Sequence, residues 1–229
     1  MGLFADSVLL PDGRVFYVPS DATNAQIFDP STGNLTEIDS DLDNSSEKFS
    51  RGVLLTDGRV ACIPLRLDHV YVLEKNDNGE YIFFQTDATV RPTGYNTHVS
   101  LYSDGVLLTD GTVMLVPDTL GQLGIWNPKK DTFEFLGHPK MSSTNLRGQL
   151  LPDGTVFLVS RLSYQHVYRW DPRDSIGIQE GPIWNDGVQK TSIDESGVLM
   201  AISSSSPPRL IRWSLQTGRI DPTFSRFVS

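Results

Sequence analysis

The chain has 229 residues, 38% of them hydrophobic, with 14 prolines and a formal charge of −9. This composition suits a folded globular chain and excludes a disordered one. The acidic balance argues against a nucleic-acid backbone as main partner, since phosphate binding needs a net basic face, and no run approaches the roughly 18 apolar residues of a membrane span.

One stretch recurs five times, anchored at Gly13, Gly58, Gly111, Gly154 and Gly197, with a period of about 45 residues, which is in the range of propeller blades. Each copy opens on an apolar strand such as Val8-Leu9-Leu10 and breaks at Asp-Gly or, in the last copy, Ser-Gly. That break predicts a two-residue hairpin turn of type I′, with positive φ at both central positions. The strand after it is apolar at nearly every position, as in Val15–Val18 and Val113–Val116, which reads as burial on both faces. A third strand carries an aromatic near its end: Phe28, Trp126, Trp170 and Trp213, with Leu73 in the second copy. A turn such as Asp29-Pro30-Ser31-Thr32-Gly33 and a short fourth strand complete most copies.

A four-stranded meander cannot bury both faces alone, whereas five arranged radially can, and the arrangement protects the strand edges. The expected fold is all-β: one five-bladed β-propeller domain over residues 1–229, with four-stranded antiparallel blades. The blades are expected at about 3–38, 49–84, 104–136, 146–179 and 188–220. Residues 221–229, with Phe224, Phe227 and Val228, are too apolar for a solvated end and are expected to fasten the last blade to the first.

The pattern Leu-Pro-Asp-Gly-x-Val, then Val-Pro, then an aromatic-Asp-Pro-x-Thr-Gly turn resembles kelch-type repeats of the galactose-oxidase central-domain kind, found in bacteriophage and environmental microbial proteins. The resemblance spans about residues 3–219 and implies the propeller fold; it says little about activity, since propellers host many. The kelch Gly-Gly pair is missing, with Pro19, Pro64, Pro117, Ser160 and Ser203 standing after the second strand instead. Nothing matches the copper constellation of galactose oxidase, so no copper chemistry is implied.

Cys62 is the single cysteine and lies in a second strand, where it reads as a core thiol. Met1–Asp6 has neither a basic region nor a cleavage signature, so a cytoplasmic location is expected, or a virion if the chain is phage-encoded.

In such a meander the tight Asp-Gly turns lie on one face, and the longer connections lie on the other. Variable loops on a rigid scaffold are where binding usually resides, so the long-loop face is the one to search. Arg51 and Arg147 precede first strands there, while Arg66 and Arg161 follow second strands. Four guanidiniums about an axial mouth would suit carboxylate or anionic sugar groups, with ion pairing to neighbouring acids as the alternative. Tyr95, His98 and Tyr102 in one long connection and Trp184 in another would suit sugar stacking or a protein partner. Asp39, Asp41, Asp43 and Glu47 follow the alternate spacing of calcium loops, although Asn44 replaces the usual turn glycine; the alternative is a solvated acidic loop with no cofactor. His69 and His166 fall at equivalent repeat positions that are polar in every copy, which reads as structural hydrogen bonding.

No acid–base constellation stands out. Together with the resemblance to phage-type repeats, this implies a non-enzymatic binding or structural module as the expected function, a phage virion or tail component contacting a carbohydrate or a neighbouring protein. The alternatives are a five-bladed glycosidase-type enzyme with two carboxylates across the axis, Asp104 among them, and a kelch-like scaffold for a protein partner.

Overall fold

The computed structural model describes residues 2–94, 96, 99–136, 144–173, 178–185, 187–193, 198–203, 210–214 and 219–220. Twenty strands form five four-stranded antiparallel sheets, each a simple meander. The first sheet holds β1 (Phe4–Leu9), β2 (Val15–Pro19), β3 (Ala25–Asp29) and β4 (Asn34–Ile38). The second holds β5 (Phe49–Leu54), β6 (Val60–Pro64), β7 (His69–Lys75) and β8 (Tyr81–Thr89). The third holds β9 (Tyr102–Leu107), β10 (Val113–Pro117), β11 (Gly124–Asn127) and β12 (Thr132–Phe135). The fourth holds β13 (Leu146–Leu150), β14 (Val156–Ser160), β15 (Gln165–Trp170) and β16 (Ile178–Trp184). The fifth holds β17 (Val188–Ile193), β18 (Leu199–Ser203), β19 (Leu210–Ser214) and β20 (Arg219–Ile220). This is the five-bladed all-β propeller architecture. The chain's contacts divide into two compact units, residues 1–136 with the first three sheets and residues 137–229 with the last two.

Two connections are shorter than the repeat suggests. β8 runs on to Thr89 and β9 begins at Tyr102, so both ends of the 85–103 connection are strand; β16 likewise takes up most of the 180–187 connection. The segment 221–229, expected to close a ring, lies outside the described residues.

The Asp-Gly turns form, but in a different geometry. Gly13, Gly58, Gly111 and Gly154 have φ of +84 to +87°, while the aspartates before them do not have positive φ. Gly13 N donates to Leu10 O at 3.0 Å and Leu10 N to Arg14 O at 2.8 Å, and the same pair recurs in the next three copies. This is a type I turn closed by a left-handed glycine, the usual three-residue hairpin, so only one residue needs positive φ. Pro11 and Pro152 sit at the turn position where a fixed φ near −65° fits. Each aspartate then accepts from the backbone N–H two residues on, at 2.9–3.2 Å.

In the first unit the core lies between neighbouring sheets. Val8, Phe16, Val18 and Ile27 meet Phe49, Val60, Cys62, Tyr71 and Phe83 in one cluster. Val53, Ile63, Val70 and Val72 meet Leu101, Tyr102, Leu115 and Trp126 in the next. β6, β10 and β14 are buried at every position, as their unbroken apolar runs require. In β2, Val15 and Tyr17 are only half-buried, because the first sheet packs on the second through its other face. In the second unit Leu151, Phe157, Val159 and Val167 pack with Val188 and Ala201 across its two sheets. Cys62 is fully buried and burial pushes its thiol pKa up, the inert core thiol expected.

The inner strands approach so closely that two of them need glycine. A Cβ on Gly52 would lie 2.5 Å from Val8 and 2.7 Å from Val18; one on Gly105 would lie 2.6 Å from Ile63 and 2.9 Å from Val53. All these partners are β-branched side chains in a packed core, which cannot swing aside. Gly52→Ala and Gly105→Ala are each expected to destabilise by about 1–3 kcal/mol through overpacking. Gly2→Ala meets only an ordinary contact at 3.5 Å and should be neutral. Urea midpoints at unchanged slope check all three.

Candidate functional site

The charged residues of the inner strands share one register. Opposite Val18, Ile63, Val116, Val159 and Ile202 of the second strands stand Asp6, Arg51, Asp104, Arg147 and Lys190, each beside a β-bulge or at the strand start. In the first unit three of them meet. Arg51 Nη1 donates to Asp104 Oδ1 at 2.8 Å, and Arg51 Nε lies 3.9 Å from Asp6 Oδ2. Asp104 is fully buried and also accepts from Gly105 N, while Asp6 accepts from Gly52 N at 3.3 Å. Arg51 is thus an ion-pairing residue bridging three sheets, not a free ligand group.

Two loops of the first unit, together with residues of β7 and β8, line a cleft of about 810 Å³. One wall is the acidic segment with Asp41 and Asp43; the other is Arg66–His69, with Tyr71 of β7 and Gln85 of β8. His69 opens β7 opposite Thr89, where a register shift separates it from the pair Tyr71–Gln85. Tyr71 Oη donates to Gln85 Oε1 at 2.9 Å. Burial raises the Tyr71 phenol pKa, and the charges of Asp43 and Asp41 add to the shift. Hydrogen bonds from the Ser45 hydroxyl, at 2.5 Å, and from its backbone N–H hold the Asp43 carboxyl below the usual carboxylate range. His69 Nδ1 is buried without a hydrogen-bond partner.

Two residues that the sequence did not single out hold these walls. Arg91, whose side chain is 6% exposed, donates to Asp68 Oδ1 at 2.5 Å, Arg66 O at 2.6 Å and Asn96 O at 2.8 Å. Lys48 is fully buried beneath the acidic segment, with Nζ 2.5 Å from Ser45 O and 3.4 Å from Ser20 O. A Lys-Phe or Arg-Pro dipeptide carries no motif; only strong burial of a cation marks these positions.

The expected calcium ligands do not gather. Among the described residues no group of three or more His, Cys, Asp or Glu side chains is placed to hold a metal. Asp43 is engaged by Ser45, and Glu47 is salt-bridged to Arg66. Tyr102 is also not a surface group: it is fully buried, donates to Val90 O at 3.0 Å and packs edge-on against Phe133. Its phenol pKa is pushed far up by burial. Arg147 lies in β13 of the second unit, and Arg161 follows β14 there, its N–H on Asn145 O at 3.0 Å. Tyr95, His98 and the side chain of Trp184 lie outside the described residues. No helix among the described residues is long and apolar enough to cross a membrane.

No family model and no curated protein matches the chain. Solved structures do. Virginiamycin B lyase from Staphylococcus aureus aligns with a TM-score of 0.73 at 13% identity, over 95% of this chain and 68% of that one. A streptogramin B lyase gives 0.67 at 13% identity, over 96% and 69%. The periplasmic gluconolactonase of Pseudomonas aeruginosa gives 0.65 at 16% identity, over 98% and 71%. These neighbours support a propeller and do not extend to the kelch or galactose-oxidase likeness. They also correct the expectation of a non-enzymatic virion or tail module, because these three fold neighbours are enzymes.

Removing one member of the Asp6–Arg51–Asp104 group should expose its energetics. Arg51→Met removes the Arg51 guanidinium from buried Asp104 and is expected to cost about 2–4 kcal/mol. Adding Asp104→Asn should recover part of that loss in a double-mutant cycle read by chemical denaturation.

Proposed function

We propose that the chain is a propeller enzyme acting on a small, polar, polyhydroxylated substrate in the His69 cleft. One observation carries the reading: a buried imidazole nitrogen with no hydrogen-bond partner, set in a polar cleft on the loop side of the sheet. An unsatisfied buried polar atom costs about 1–3 kcal/mol, a cost that a bound ligand or an ordered water would relieve. Imidazole is also the side chain best suited to move a proton near neutral pH.

The wall chemistry agrees with that substrate class. Tyr71, Gln85, Asn44 and Ser46 offer donors and acceptors, Asp41 and Asp43 offer acceptors for hydroxyl groups, and Arg66 adds a cation at the rim. Leu67 supplies the one aliphatic surface of the lining. The fold neighbours support an enzyme: one of them, a histidine-to-alanine variant of virginiamycin B lyase, is described as catalytically inactive and holds quinupristin. The gluconolactonase supports a sugar-derived substrate. The cleft is favoured over a carboxylate pair on the axis, because Asp104 is fully buried and committed to Arg51 and Gly105. A glycosidase acid must reach the leaving oxygen.

The test is a panel of sugar lactones and aryl glycosides assayed with the wild-type chain and with His69→Ala. Turnover of at least one class is expected, falling about 10²–10⁴-fold in His69→Ala with the melting temperature unchanged. Tyr71→Phe should raise KM more than it lowers kcat. Activity undiminished in His69→Ala would remove the cleft from the chemistry, and absence of turnover across the panel would remove the enzyme reading.

A further inference from the structure

Lys48 lies beneath the acidic segment whose spacing suggested a calcium loop. Its side chain has no solvent exposure, which is rare for lysine and costly unless the ammonium is surrounded by oxygens. Those oxygens are present. Nζ reaches the carbonyls of Ser45 and Ser20; burial lowers the Lys48 pKa, and the charges of Asp43 and Asp21 oppose that shift. The Lys48 backbone does similar work: its N–H donates to Ser20 O, and its carbonyl accepts from Leu65 N at 2.9 Å and Arg66 N at 3.3 Å. Three loops, around residues 20, 45 and 65, therefore converge on one residue. Just before it, Glu47 adopts φ of +58°, a left-handed conformation that a non-glycine residue adopts at a cost, and its N–H is held by Asp21 Oδ1 at 2.9 Å.

We infer that Lys48 is a tethered internal cation: its ammonium occupies the oxygen-lined centre of the acidic segment and fixes that segment as one wall of the cleft in place of a metal ion. A metal must be recruited from solution, whereas a side-chain ammonium is held at the site by the chain itself. The segment is then ordered at all calcium concentrations. Lys48 is a positioning residue and touches no substrate. The inference stands on the loop geometry alone, whether or not the cleft is catalytic.

The experiment separates charge from packing. Lys48→Met keeps most of the volume and removes the charge, and its melting temperature should fall by on the order of 10 °C. Lys48→Ala empties the space, and propylammonium should restore much of its lost melting temperature while 1-propanol at equal concentration should not. Millimolar calcium should leave the wild-type melting temperature unmoved. A Lys48→Met chain as stable as wild type would overturn the inference, as would equal rescue by propanol or a calcium-dependent rise in the wild type. If neither neutral variant folds, Lys48→Arg decides: a folded arginine variant supports the tethered charge, and an unfolded one overturns it.

Discussion

The face-to-face approach of neighbouring sheets at their inner strands is the constraint on which the first unit depends. β1 packs on β5, and β5 on β9. At each contact a glycine lies where a methyl group would overlap a β-branched side chain of the neighbouring sheet. The charged position immediately before each glycine is then carried toward its counterparts. Close packing of the apolar layer brings Arg51 within reach of both Asp104 and Asp6, and the backbone N–H groups of Gly52 and Gly105 lock the two carboxylates. The ion pairs are therefore a consequence of the packing. Their worth is bounded by desolvation: Asp104 is buried and depends on its partner, while the half-exposed Arg51 does not depend on Asp104 to the same degree.

The repeat made the strands legible because each copy carries the same two signals, an Asp-Gly or Ser-Gly break and an unbroken apolar second strand. Periodicity says which residues are buried but not how a turn closes. For that reason the hairpins were expected with two positive φ values and have one, at glycine. The long connections were harder to read. Nothing in Gln85–Thr89 distinguishes a strand extension from a loop, since its pairing partner is His69, at the opposite end of β7. Tyr102 looked like a loop aromatic for the same reason; pairing of β9 with Pro117 draws it into the core.

Of the candidate cleft, only the side of the sheets on which it lies was legible. The long-connection side does carry the cleft, and Arg66 and the acidic segment do line it. The spacing of Asp39, Asp41, Asp43 and Glu47 suggested a metal because spacing reports oxygens and is silent about where they point. Asp43 is engaged by Ser45 and Glu47 by Arg66, and the Lys48 ammonium meets the Ser45 and Ser20 carbonyls. His69 was read as a structural hydrogen bonder from its repeat position, and the structure leaves its Nδ1 without a partner. Repetition identifies a polar position; it does not say whether the partner comes from the chain or from a ligand.

Lys48 and Arg91 show how polar loops are ordered without a large apolar core. Each is a buried cation that joins a backbone carbonyl near in sequence to one distant in sequence. Such carbonyls would otherwise have to be hydrated, and the loops would lose little by moving. One cation satisfying several at once ties the segments together, and its removal leaves all of them unsatisfied together. A cleft whose walls are set in this way enters binding already ordered. Less of the interaction energy with a ligand is then consumed in fixing loops, and more is left for discrimination between substrates. That is the property a site needs when its ligand is small and offers mainly hydroxyl groups, because each hydrogen bond gained in exchange for water contributes only about 0.5–1.5 kcal/mol.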